Sequence, residues 1–314
     1  MERHSSLEAL PVGLRMVAAI GVFDGVHRGH RAFIGRLVEE ARRRDAPAVL
    51  VTFQPHPASV LRGTSPSVLC GPLEQEARLD ELGVDHLVVE RFDAVLADQS
   101  AEDFVARLRA GRRLVALIMT ADSAFGRGRA GNLASMQALG ATEGFAVVQV
   151  GQQHSRGVVI SSSRTRAAVE AGRLAEAARL LGRRYAVSGT VVHGDARGRT
   201  LGFPTANLAF EAPVAFPPDG VYAVRVSWGG DPLQPVRRAD GVASLGVRPT
   251  FGHGSRILEV FLLDFDEDLY GVRLRVEFVR RQRGEHRYAS VERLVDQMRQ
   301  DVLRARAVLA GTRA

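Results

Sequence analysis

Gly21-Val22-Phe23-Asp24-Gly25-Val26-His27-Arg28-Gly29-His30 gathers glycines, an acid and two histidines in one short stretch. The segment follows an apolar run, Met16 to Ile20, that reads as a buried strand. It precedes Phe33, Ile34, Leu37, Val38 and Ala41, whose spacing marks one face of a helix. The glycines therefore fall in a strand-to-helix turn, with His27 and His30 at or near the helix start. Such a start offers unpaired N–H groups and a partial positive charge, which suits phosphate. Two imidazoles three positions apart can face the same way and add donors. The chemistry implied is phosphate handling on a nucleotide.

Other segments carry related chemistry. Thr52-Phe53-Gln54-Pro55-His56-Pro57 ends a strand, and its proline-flanked histidine suits either a rigid turn or a ligand contact. Asp122 to Gly131 is a glycine- and arginine-rich loop after another strand. Ile160-Ser161-Ser162-Ser163-Arg164-Thr165-Arg166 places hydroxyls and arginines at a further helix start. Such hydroxyls can serve as plain N-caps, but beside a histidine-bearing helix start they also suit phosphate. The run from His193 to Asn207 has glycines at 194, 198 and 202, which let backbone approach a ligand. It ends in Thr205 and Asn207, two short polar residues on alternate positions, which on a strand point the same way. Their oxygens are hard ligands suited to Mg2+, and an ordinary polar turn is the competing reading. Glu259 interrupts the apolar run Ile257 to Leu263 as a charge on a half-buried strand. It could be paired with Arg256 or Arg273, or act as a base. Structural zinc on His27 and His30 is a competing use, but no cysteine or His–carboxylate set lies nearby in the sequence.

The elements that must position these residues divide the chain near residue 184. Before it, apolar runs at 15–20, 47–53, 85–90, 113–119 and 144–150 read as strands. Helical stretches near 29–44, 72–82, 100–110 and 132–140 lie between them, and Ser100 with Asp103 resembles a capping box. This alternation predicts an α/β domain with a parallel sheet covered on both faces, whose ligands bind at the carboxyl ends of the strands. Residues 160–183 read as helical. From Tyr185, strand-like runs at 185–192, 220–228, 241–247, 256–263 and 272–279 are split by Gly, Pro and Asp turns. They predict a compact antiparallel barrel, closed by a helix at about 290–310.

Composition excludes several functions. The 314 residues leave room for about two domains. A single cysteine, Cys70, precludes an internal disulfide and fits a reducing cytoplasm. Met1 to Leu10 has no long apolar core, so neither a signal peptide nor a membrane span is expected. The formal charge is +7, yet lysine is absent. That removes a Walker A lysine, a Schiff base and the lysine of a protein kinase. A phosphate clamp must use arginine, histidine, backbone N–H or metal. The arginines suggest nucleic acid as a rival partner, but they alternate with glutamates, as in Glu39-Glu40-Ala41-Arg42-Arg43-Arg44. That pattern reads as a solvated helix face, and few aromatics interleave with the arginines.

The opening segment, with His27-Arg28-Gly29-His30, resembles the nucleotidyltransferase signature of the prokaryotic bifunctional riboflavin kinase/FAD synthetase family. Ile160 to Arg166 is similar to its Ile-Ser-Ser-Thr-x-x-Arg motif, with Ser163 in place of threonine. The run from His193 to Asn207 resembles the riboflavin kinase signature, including Gly202-Phe203-Pro204-Thr205-Ala206-Asn207. So do Gly220 to Ala223, Gly246 to Phe251, Leu258 to Phe265 and Leu269-Tyr270-Gly271.

The resemblance implies a Rossmann-like nucleotidyltransferase domain over 1–184 and a six-stranded antiparallel riboflavin-kinase barrel with a terminal helix over 185–314. The implied reactions are phosphorylation of riboflavin to FMN and adenylylation of FMN to FAD, with ATP and Mg2+. It implies Glu259, His27 and His30 as catalytic. Gly21, Phe23, Asp24, Gly25, Asp122, Ser161, Ser162, Ser163 and Arg166 would join the two histidines around one ATP. Gly194, Gly198, Arg199, Gly202, Pro204, Thr205 and Asn207 would hold the other ATP and the flavin, with Thr205 and Asn207 on Mg2+. The implied partners are flavins and ATP, with neither nucleic acid nor membrane, and the oligomeric state stays open. The family loop Gly-x-Asp/Asn-Phe-x-Phe-Gly stands here as Thr120-Ala121-Asp122-Ser123-Ala124-Phe125-Gly126, so Thr120 replaces a glycine and Ser123 an aromatic. That departure leaves, as the alternative, a riboflavin kinase with an inactive or altered N-terminal domain.

Overall fold

In a computed structural model, residues 1–194, 197–247 and 256–312 are described. Asp195, Ala196 and the segment Arg248 to Phe251 of the kinase-like motifs lie outside the described residues. The chain forms two compact units, Met1–Pro66 with Gln75–Ser162 and Ser67–Glu74 with Ser163–Ala314.

The first unit is built on a six-stranded sheet. Its strands are β1 (Glu2–His4), β2 (Arg15–Ile20), β3 (Ala48–Gln54), β4 (His86–Arg91), β5 (Arg113–Thr120) and β6 (Ala146–Val150). Every pairing is parallel and the order is β1-β4-β3-β2-β5-β6. Helices α1 (Arg28–Arg43), α2 (Pro72–Glu81), α3 (Ala101–Arg109) and α4 (Leu133–Glu143) punctuate the strands. Side chains alternate between two cores, as a sheet buried on both faces requires. Met16 and Ala18 join Phe104 and Leu117 on one side, whereas Val17 and Ala19 join Ile34, Leu37 and Ile118 on the other. The chain runs from β2 outward to β4, then returns to β5 on the other flank of β2. The strand order thus reverses between β2 and β5, the place where parallel sheets open a crevice for ligands.

The five expected strands and four helices are present, and Ser100 Oγ accepts from the Asp103 N–H at 3.0 Å as the cap of α3. Three details go beyond the sequence reading. The stretch 160–183 is two helices, α5 (Ser162–Glu170) and α6 (Leu174–Leu181), separated at Gly172 with φ 71°. Edge strand β1 lies within Met1 to Leu10, where no strand is read from the sequence. In the run read as a solvated face, Glu39, Arg42 and Arg43 are exposed, but Glu40 is 1% exposed and grips Arg36 at 2.7 Å, Arg43 at 2.5 Å and Arg44 at 3.3 Å. Two arginines from its own helix and the Arg44 that caps it offset the cost of burying that carboxylate.

The second unit contains a closed barrel of β7 (Ala186–Val192), β8 (Ala206–Ala209), β9 (Gly220–Asp231), β10 (Gln234–Val247), β11 (Arg256–Leu262) and β12 (Arg273–Arg283). All its pairings are antiparallel, in the order β7-β8-β11-β10-β9-β12. Leu258, Val260 and Leu262 alternate inward with half-buried Ile257, Glu259 and Phe261. Helix α7 (Val291–Ala310) packs on the barrel through Ala305 and Leu309, which meet Ala223. Asp301, 2% exposed, accepts from Arg283 Nη2 at 2.7 Å and from Gln297 Nε2 at 2.9 Å. Two strand features were not read from sequence: β8 within the glycine-rich run, and the extension of β10 back to Gln234. No helix among the described residues is long and apolar enough to cross a membrane.

Candidate active sites

The turn after β2 is held in a conformation that few sequences adopt. Phe23 and Val26 have φ of 56° and 38°, and Gly25, at 76°, is the position where glycine costs least. The ring of Phe23, 4% exposed, packs edge-on against His30 with centroids 5.3 Å apart, and a Cβ on Gly21 would lie 2.8 Å from it. Thr52 Oγ1 and Gln75 Nε2 both donate to the Val22 carbonyl, at 3.2 and 2.8 Å. Gln75 was not singled out from the sequence, because an amide on a helix face carries no local signal.

His27 caps α1: its Nδ1 accepts from the His30 N–H at 3.1 Å. An accepting Nδ1 leaves the proton of a neutral ring on Nε2, which is then a donor. The His27 and His30 rings stack, with centroids 3.6 Å apart and planes 15° from parallel. His30 is half-buried, and its Nδ1 is buried without a hydrogen-bond partner among the described residues. Burial, reinforced by neighbouring His27, pushes the His30 pKa well below the ordinary histidine value. At neutral pH His30 is thus uncharged. The expected unpaired amides at the helix start are partly corrected, since that of His30 is already held by His27.

Within the first unit, Ser162 Oγ donates to the Asp24 carbonyl at 3.0 Å, so its proton is engaged by the turn after β2. Asp24 is buried, Ser161 is half-buried, and Ser163 is exposed at the first turn of α5. Arg166, in the second unit, donates from Nε to the Ser67 carbonyl at 2.6 Å. His56 Nδ1 accepts from the Ala58 N–H at 3.1 Å, so this histidine caps a short helix, Pro57–Arg62.

The loop after β5 shows that its two departures from the family pattern depend on each other. The Thr120 N–H donates to Ser123 Oγ at 2.9 Å, and the two hydroxyls lie 2.7 Å apart. Thr120 Oγ1 also donates to Asp122 Oδ1 at 2.7 Å. That hydrogen bond holds the exposed Asp122 carboxyl below its usual range. Where the family has glycine and an aromatic, this chain closes a small polar ring.

In the barrel, Asn207 on β8 stands directly opposite Glu259 on β11. Directly opposed residues present their side chains on one face of a sheet. Thr205 immediately precedes β8, two positions from Asn207. The glycines supply room for this group. A Cβ on Gly194 would lie 2.4 Å from Asn207 Nδ2, and one on Gly198 would lie 2.3 Å from the Phe203 carbonyl oxygen and 3.4 Å from Thr205 Oγ1. Arg199, Gly202 and Pro204 are exposed on the intervening turn. His193 stacks on Tyr270 at 3.7 Å, and the Gly271 N–H donates to the Val191 carbonyl at 2.9 Å. These contacts tether the start of the glycine run. The two arginines weighed as partners of Glu259 bind other carboxylates: Arg256 pairs with Asp219 at 3.0 Å and Arg273 with Glu211 at 2.8 Å.

Comparison with known proteins covers both units. Residues 12–164 match the FAD synthetase family model and residues 181–309 the riboflavin kinase model. A bifunctional riboflavin kinase/FMN adenylyltransferase of Escherichia coli (strain K12) is 40% identical over 299 residues, covering 95% of this chain and 94% of that protein. One of Bacillus subtilis (strain 168) is 33% identical over 293 residues, covering 91% and 90%. A solved structure from Streptococcus pneumoniae, described as a macrolide-efflux protein, superposes with a TM-score of 0.84 at 30% identity, covering 97% of this chain and 98% of that one. With both units matched in order and at that extent, the chain belongs to the bifunctional riboflavin kinase/FMN adenylyltransferase family.

Proposed function

We propose that the module at 185–314 phosphorylates riboflavin to FMN and that the module at 1–184 adenylylates FMN to FAD with release of pyrophosphate, in the cytoplasm. The observation that carries the kinase half is the register that sets Asn207 opposite Glu259. Glu259 accepts the proton of the ribityl 5′-hydroxyl as that oxygen attacks the γ-phosphorus of ATP, and ADP leaves. Thr205 Oγ and the Asn207 amide oxygen are hard donors on one face, and the glycine at 194 leaves the amide its space, so this set fits Mg2+. Bound there, Mg2+ offsets charge on the ATP phosphates. Gly194, Gly198, Arg199, Gly202 and Pro204 form the backbone path along the nucleotide and flavin.

In the adenylyl transfer the flavin phosphate oxygen attacks the α-phosphorus, so the protein supplies no nucleophile. His27 donates from Nε2 and His30 stacks against it to hold that ring, while Ser161 approaches the triphosphate. Gly21, Phe23, Asp24, Gly25 and Ser162 shape the turn, and Asp122 faces the nucleotide from the end of β5.

Flavin product analysis tests both halves. With riboflavin, ATP and Mg2+, the protein yields FMN and then FAD. Glu259→Gln abolishes FMN formation, still binds ATP, and still converts supplied FMN to FAD. Near-normal FMN formation in that variant removes Glu259 as the base.

A further inference from the structure

At the far edge of the parallel sheet, β1 and β4 bring together three side chains that the flavin chemistry does not use. Glu2 stands opposite His86, and His4 lies two positions along β1 on the same face as Glu2. His4 Nε2 is 3.0 Å from His86 Nδ1. One Glu2 carboxylate oxygen lies 3.8 Å from His4 Nε2 and the other 3.5 Å from His86 Nδ1. His4 is 5% exposed and the His86 side chain 13%, whereas Glu2 reaches solvent. Neighbouring charges are engaged elsewhere: Arg3 binds Glu76 at 3.0 Å, and the terminal amine binds Asp80 at 2.7 Å. Among the described residues, the ion-pair partners of the Glu2 carboxylate are these two imidazoles.

We propose that Glu2, His4 and His86 form a binding site for a divalent transition cation of the zinc class, which pins edge strand β1 to β4. Tetrahedral coordination with bonds of about 2.0–2.1 Å places neighbouring donor atoms about 3.3–3.4 Å apart. The ring nitrogens are 3.0 Å apart and the Glu2 oxygens lie 3.8 Å from one and 3.5 Å from the other, so rotation of the exposed Glu2 carboxylate brings one oxygen toward that spacing from both rings without movement of the backbone. Two imidazoles and one carboxylate select zinc, cobalt or nickel over magnesium and calcium, which prefer all-oxygen sets. The solvent side, where Glu2 is exposed, leaves the fourth position to water. Strand β1 has only three residues, so a cross-link to β4 adds holding power that its few ladder hydrogen bonds lack.

The test uses the full-length protein, stripped with a chelator and titrated with Co2+ and Zn2+ without nucleotide. One equivalent of Co2+ should bind with the visible absorption of a four-coordinate site and be displaced by Zn2+. Zn2+ should also slow amide exchange at residues 2–4. Glu2→Gln, at an exposed position that leaves the fold intact, should weaken Co2+ binding by about tenfold or more, as loss of a ligand does. His86→Ala should abolish the absorption. Absence of a stoichiometric Co2+ signal overturns the proposal. So does affinity unchanged in Glu2→Gln, or an equivalent that survives His86→Ala, because the cation then sits elsewhere.

Discussion

Replacing Gly194 by alanine isolates the role assigned to Asn207. The added Cβ would stand 2.4 Å from Asn207 Nδ2, 2.6 Å from Cγ and 2.8 Å from Oδ1. Ordinary contacts between heavy atoms are about 3.5–4.0 Å, so the amide must retreat by roughly 1 Å. The strand cannot carry it away, because Asn207 is paired with Val192 on one side and Glu259 on the other. The side chain therefore swings, and the ligand position moves with it. The φ of Gly194 lies outside the left-handed region, so alanine brings no backbone strain. A misplacement of about 1 Å in a positioning group costs on the order of 10²-fold in rate, or about 2.7 kcal/mol of barrier. The assay separates riboflavin, FMN and FAD chromatographically, with riboflavin or FMN as the starting flavin. FMN formation should fall about a hundredfold, while FAD formation from supplied FMN and the thermal midpoint stay near wild type. FMN formation within about twofold of wild type would refute the assignment of Asn207, since the displacement is forced by geometry.

Three further outcomes are expected. His27→Ala removes both the cap on the His30 N–H and the Nε2 donor: stability should drop by about 1 kcal/mol in urea unfolding, and FAD formation should fall while FMN formation persists. Because the folded-state pKa of His30 is depressed, the unfolded chain binds the extra proton first, so this group's contribution is present above the unfolded value near 6.5 and is lost as pH falls below it. His30→Gln should flatten the decline in stability between about pH 7 and 5, and an unchanged slope would discard this origin. Asp301→Ala leaves the Arg283 guanidinium without its carboxylate under α7 and should cost roughly 3–5 kcal/mol, read from the shift in the urea midpoint.

Much of this protein is written locally. Hydrophobic periodicity placed the strands and helices of the first unit, because burial on both faces leaves continuous apolar runs bounded by turns. The i, i+3 spacing of His27 and His30 already implied rings on one side of a helix start, and the stack at 3.6 Å follows from that. The glycines at 194 and 198, read as places of close backbone approach to a ligand, stand where a Cβ would meet Asn207 and the Phe203 carbonyl. Short or polar elements were harder to read. Strand β1 spans three residues, β8 four within a glycine-rich run, and the early part of β10 carries Arg237 and Arg238 on exposed positions. None of these presents a hydrophobic period long enough to detect.

Sequence alone determined the element types, the two-unit division of chemistry and the residue kinds at each candidate site, since these depend on neighbours within a few positions. Tertiary structure decided which distant residues meet. Only barrel closure set Glu259 against Asn207, only sheet order put the turns after β2 and β5 at the point of reversal, and only edge pairing joined Glu2 and His4 to His86. Register between strands is fixed by the burial of whole faces and the closure of long loops, terms that sum over the fold and leave no mark on any short stretch of chain.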